Sequence, residues 1–144
     1  MEPIGTIEWQ KEYESGIEEI DQQHKDIINT LNEIYFAIEN REFQGKLSEL
    51  LDAFDFYVTI HLNTEENYAE KYDFPKIIEL KESHEYLRST YKHLQFIHKG
   101  SEKECISRIP YIFHLHSVMR EWLGYHLVTL DKELFDFLRE KLKE

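Results

Sequence analysis

Cysteine occurs once in 144 residues, as Cys105, which excludes an internal disulfide and a cysteine-rich metal site. Cys105 is read as inert packing and is assigned no role. Three prolines and five glycines are about half the ~12% share of an average chain. So few breakers argue against an all-β domain, which needs many turns, and favour long helices. No apolar run approaches the ~18 residues of a membrane span. The opening Met1-Glu2-Pro3-Ile4-Gly5 has no basic patch leading into an apolar stretch, so no signal peptide is expected. Basic residues are also scarce, 17 against 29 acidic, for a net charge of −12. Nucleic-acid-binding domains carry the opposite footprint, and an anionic membrane would repel this chain. The expectation is a cytoplasmic protein with neither a nucleic-acid nor a membrane partner.

Aromatic residues make up 14% of the chain, which excludes a disordered acidic segment. The length fits one domain spanning residues 1–144, large enough for a core without staples. Between the sparse breakers, apolar residues recur three and four apart, the helical period. Helices are expected over about 21–40, 45–72, 75–99 and 102–128, with a short fifth over about 132–142. Asp21 is expected to be the N-cap of the first. Pro75 marks the end of the second, and Gly100 suits the C-terminal cap of the third. Pro110 gives the fourth a kink or a late start. The pattern predicts an all-α fold, an up-down-up-down four-helix bundle with a short C-terminal helix. Ile4, Ile7, Trp9 and Tyr13 form an N-terminal arm able to cover one side of it.

Eight histidines are many for this length, and four of them fall on apolar stripes. His24 lies three residues before Ile27. His61 and Glu65 fill the two steps between Val58 and Tyr68. His84 sits between Leu80 and Leu87, and His126 lies three residues after Leu123. Each long helix thus points an imidazole into the core. A single such histidine is ordinarily a hydrogen-bonded core residue. A buried Glu65 is harder to explain, because burying a carboxylate costs several kcal/mol unless it is paired or metal-bound. Four inward histidines and an inward glutamate favour one common cause. Imidazole and carboxylate together suit iron, zinc or manganese. His93, His98, His114 and His116 lie on the wrong face or too far along their helices and are excluded from the site. His116 is a candidate core histidine.

The residues resemble those of hemerythrins, the non-haem di-iron oxygen-binding family, in their bacterial form. The resemblance runs over nearly the whole chain: Trp9, Gly16, Ile20-Asp21-Gln22-Gln23-His24-Lys25, His61 with Glu65-Glu66, Tyr72-Asp73-Phe74-Pro75, Ser83-His84-Glu85, Trp122-Leu123-Gly124-Tyr125-His126-Leu127, and Asp131. Each piece alone is weak, and their order and spacing together are specific. The resemblance implies two non-haem iron ions bridged by an oxo or hydroxo group and by Glu65 and Asp131. His24 and His61 would be terminal ligands of one iron, His84 and His126 of the other. Trp122, Leu123 and Leu127 match positions lining the oxygen pocket. Without the resemblance, Asp131 reads as the N-cap of the last helix. Five residues from His126 is a poor helical spacing, so a helix break near Thr129 is needed to swing it inward.

One position departs from the family pattern. A further histidine is expected four residues before His84, and this chain has Leu80 there. Leucine cannot ligate, and Glu79 and Glu82 point away from that position. A water or a residue from another helix is the expected replacement, and a mononuclear iron site is the alternative. The resemblance implies reversible binding of dioxygen or a similar small diatomic or peroxide ligand, as a carrier, store or delivery protein and not an enzyme. The opened second iron raises a second reading, an oxidase, a peroxidase or an enzyme acting on nitric oxide. A metal-free helical scaffold is the third.

Overall fold

The computed structural model describes residues 5–42, 45–98 and 108–143. Ile4, the Gly100 cap, the early part of the fourth expected helix and Cys105 lie outside them, as does the side chain of His98. The helices are α1 (Glu18–Glu39), α2 (Lys46–Lys71), α3 (Ile77–His98), α4 (Ile109–Val128) and α5 (Leu130–Leu142), preceded by a single 3-10 turn at Lys11–Tyr13. The four long helices pack each on its chain neighbours, and α1 against α4 closes the ring; α5 covers one end against α4 and α3. This is the four-helix bundle expected from the apolar periodicity.

Helix ends follow from local chemistry. Asp21 is not the N-cap of α1, which begins one turn earlier, after Ile17. Its carboxylate instead accepts from the Ser15 backbone N–H at 2.7 Å and the Ser15 hydroxyl at 2.9 Å. Asp21 therefore ties the arm to the helix from inside the first turn. α1 and α2 both end in a residue of positive φ, Arg41 at 57° and Asp73 at 56°. After α2, the Phe74 N–H reaches the Ala69 carbonyl at 2.8 Å and the Asp73 N–H reaches Glu70 at 3.3 Å. That is a Schellman ending, with Phe74 closing over Ala69 in the core. Pro110 stands in the first turn of α4, where its missing N–H costs nothing, so the late start holds and no kink is needed.

The arm lies along the bundle. Ile7 and Asn32 exchange two hydrogen bonds, of 2.8 and 2.9 Å. Ile7 and Trp9 pack against the core and Tyr13 is buried in it. Gly5 is required by close approach, since a Cβ there would meet the Tyr35 ring at 1.9 Å. The buried apolar residues fall into two clusters. The larger runs along the bundle through Ile27, Leu31, Phe54, Val58, Leu87, Leu94, Met119 and Leu123. The smaller closes the α5 end and contains Ile20, Ala69, Phe74, Leu80, Leu134, Phe135 and Leu138.

Candidate metal centre

Five helices bring six polar side chains to one buried place. α1 supplies His24, α2 His61 and Glu65, α3 His84, α4 His126 and α5 Asp131, and none of the six residues is more than 3% exposed. His61 and Glu65 are one helical turn apart, so α2 presents both to the same point. Asp131 arrives through a break in the chain. Thr129, at φ −119° and ψ −93°, separates α4 from α5. The new helix axis turns Asp131 inward from the first turn of α5, and Phe135, one turn later, packs against the His24 ring at 5.6 Å. Asp131 is therefore not the N-cap of α5, a position held by Thr129, and α5 starts two residues before the expected 132.

The donor atoms converge. His24 Nε2 and His61 Nε2 are 2.8 Å apart. Two nitrogens each ~2.0–2.1 Å from one ion, at right angles, would be about 3 Å apart. His61 Nε2 lies against Glu65 Oε1, and His126 Nε2 lies 2.6 Å from Asp131 Oδ1. His24 Nε2 is 3.5 Å from Asp131 Oδ2 and 3.8 Å from Glu65 Oε1, and His84 Nε2 is 3.9 Å from Glu65 Oε2. Two overlapping groups result, His24, His61, Glu65 and Asp131, and Glu65, His84, His126 and Asp131; within each, the donor atoms all lie within 4.8 Å of one another. Glu65 and Asp131 belong to both.

These residues fit a bound cation. Among the described residues, both oxygens of Glu65, both of Asp131, and Nε2 of His84 and His126 are buried without a hydrogen bond of good geometry. Six such atoms at one spot would be costly in a resting core. Three imidazoles are held by the other ring nitrogen. Gln23 Oε1 accepts from His61 Nδ1 at 3.0 Å, Glu66 Oε2 from His84 Nδ1 at 3.1 Å, and Ser83 Oγ pairs with His126 Nδ1 at 2.9 Å. This fixes the rings with Nε2 toward the centre. Among the described residues, His24 Nδ1 has no such partner.

Burial lowers His61 to about 4, against Asp131, which acts the other way. Burial also lowers His84, opposed by Glu66. Burial and the neighbouring Asp131 push Glu65 well above the usual carboxylate range. Asp131 goes well below it, because the contacts with His126 outweigh burial. His126 moves the other way, because its pairing with Asp131 outweighs burial and raises it. The metal-free centre thus keeps His61 and His84 neutral, pairs His126 with Asp131 and holds a proton on Glu65, and a cation would displace the bound protons.

Leu80 is fully buried in the apolar cluster at the α5 end. Among the described residues, no further histidine, cysteine, aspartate or glutamate joins either donor group, and Glu79 and Glu82 are exposed. Trp122 stacks on His126, with ring centroids 4.3 Å apart and planes 13° apart. Leu123 and Leu127 belong to the long apolar cluster. His93 and His114 are exposed, and buried His116 donates from Nε2 to the Leu31 carbonyl at 2.9 Å. Sequence reasoning missed Gln23, Glu66 and Ser83. Each is adjacent in sequence to a donor, but Gln23 and Ser83 serve a histidine on another helix, and Glu66 serves His84 on α3, so adjacency gave the wrong partner.

A model of the hemerythrin HHE cation-binding domain matches residues 15–138. Two curated proteins named bacteriohemerythrin are similar. One, from Clostridium acetobutylicum, is 23% identical over 132 residues, covering 89% of this chain and 98% of the relative. The other, from Stenotrophomonas maltophilia, is 26% identical over 141 residues, covering 98% of this chain and 87% of the relative.

Proposed function

The chain belongs to the hemerythrin family, and from that premise we propose that it binds dioxygen reversibly at a non-haem di-iron centre. The ligands in this reading are His24 and His61 for one iron and His84 and His126 for the other, with Glu65 and Asp131 bridging. The single observation that carries it is the pair of four-residue donor groups sharing those two carboxylates. A lone ion would leave two of the four histidines and their aligned nitrogens without a purpose.

Bound iron would supply the redox chemistry, one electron from each ion toward dioxygen. The chain's own residues do the rest. The four imidazoles present nitrogen lone pairs, three of them oriented by Gln23, Glu66 and Ser83. Glu65 and Asp131 contribute negative charge that offsets two cations. The long apolar cluster on one side and the Leu80 cluster on the other exclude the water and outside reductants that would discharge the centre.

A second reading, oxidative turnover, draws on Leu80. Among the described residues no further histidine, cysteine, aspartate or glutamate joins the His84 group, which in this reading leaves that half one ligand short.

One experiment tests the proposal. Iron per chain is measured by elemental analysis after anaerobic reconstitution and desalting, and the optical spectrum is followed through cycles of oxygen and argon. Two irons per chain and a spectrum that returns under argon are expected. One iron or none would overturn the di-iron reading. Two irons with irreversible oxidation would move the function to the second reading.

A further inference from the structure

We propose that the cleft beside His126 is a binding site for a small, uncharged, planar aromatic molecule of one or two fused rings. The cleft has a volume of about 510 Å³ and is lined by Ser83 and Tyr86 of α3, Trp122, Tyr125 and His126 of α4, and Thr129, Leu130 and Glu133 where α5 begins. That volume falls within the ~300–1,000 Å³ of small-molecule sites. It lies outside the two donor groups, sharing only His126 with them.

The lining selects the ligand class. Three of its side chains are large aromatics, and Trp122 already shows the preferred geometry by stacking on His126 at 4.3 Å. Aromatic faces favour a planar partner in offset or edge contact. The polar groups of the wall are mostly engaged within the protein. The Ser83 hydroxyl pairs with His126, the Thr129 hydroxyl donates to the Tyr125 carbonyl at 2.7 Å, and Glu133 is ion-paired with Lys76 at 2.7 Å. Among the described residues, the cleft lining contains no lysine or arginine to hold a phosphate or carboxylate. Glu133 and the overall charge of −12 repel anions. Trp122 and His126 both line the cleft, so the site adjoins the metal centre, and its walls are formed without a metal.

The test uses metal-free full-length protein carrying Trp9→Phe, which leaves Trp122 as the sole tryptophan. The probe is 4-nitroanisole, an uncharged quencher of tryptophan emission, and 4-nitrobenzoate is its anionic counterpart. Saturable quenching by the anisole is expected, with at least tenfold weaker binding of the benzoate. Tyr86 and Tyr125 are 56% and 72% exposed, so replacing both by alanine leaves the core untouched. The double variant is expected to bind at least tenfold more weakly with an unchanged circular dichroism spectrum. Linear, non-saturating quenching, or equal affinity in the double variant, would overturn the proposal. Light scattering that finds a dimer, reduced to monomer by the double variant, would assign the cleft to a second copy and overturn it as well. None of these readouts involves iron, so failure here and failure of the di-iron reading are told apart.

Discussion

Glu66 Oε2 accepts a hydrogen bond from His84 Nδ1 at 3.1 Å and, on the same oxygen, one from Arg88 Nη2 at 2.9 Å. Burial opposes ionisation of Glu66, but the contacts with His84 and Arg88 outweigh it and hold the carboxyl at about 2. The carboxylate is therefore charged at any working pH, and it fixes the ring of His84, which lies one turn after Leu80 on α3.

A carboxylate behind a ligating histidine raises its basicity and orients it, and losing such a partner typically costs ~10–100-fold in metal affinity. Glu66→Gln is expected to weaken one of two bound ions by about that factor, with the other unchanged. Competition titration of zinc against a coloured chelator measures it. An equal loss at both ions, or none, would contradict the assignment of His84 to one half.

Metal loading should raise thermal stability. The centre holds six carboxylate and imidazole atoms that lack hydrogen bonds, and a cation satisfies them only in the folded chain. At free metal 100-fold above Kd, the gain is ~2.7 kcal/mol, or roughly 5–10 °C in Tm for a chain of this size. Differential scanning calorimetry with and without iron or zinc checks it. A chelator that leaves Tm unchanged would favour a metal-free scaffold.

Leu80 offers a direct probe of the second half. Leu80→Ala removes a fully buried side chain and should cost ~2–5 kcal/mol. Leu80→His puts a polar ring into an apolar cluster and should cost the metal-free protein ~1–3 kcal/mol. With metal bound, the histidine variant alone is expected to recover that loss, retain its second ion longer through desalting and oxidise more slowly. Urea titrations with and without metal, and stopped-flow oxidation of the reduced protein, separate the two variants.

The pH dependence of the metal-free protein follows from His61. Unfolded, it takes up a proton near 6.5; folded and buried, only near 4. Between those values the unfolded chain binds more protons, so acid favours unfolding and stability falls as pH drops through the window. The urea midpoint is expected to decline from pH 6.5 to pH 4, and less steeply in His61→Gln. An equal decline in both would remove His61 as the cause.

The sequence by itself determined the helices and the inward placement of five donors, because both rest on the local 3.6-residue period. His24, His61, Glu65, His84 and His126 each sit at a core step of their helix, and burial followed from position alone. Asp131 was reached only through the family resemblance, since its orientation depends on the backbone of Thr129 and the change of axis into α5. Asp21 shows the opposite case. Its residue type suits a cap, yet Ile17 and the Ser15 contacts start α1 one turn earlier, because packing of the arm overrides local preference. The tertiary structure alone decided the pairing of Gln23 with His61, Ser83 with His126 and Glu66 with His84. It also decided that Glu65 and Asp131 face both histidine pairs and that a cleft opens beside His126. Those relationships join residues on different helices, and a one-dimensional period carries no information about which faces meet.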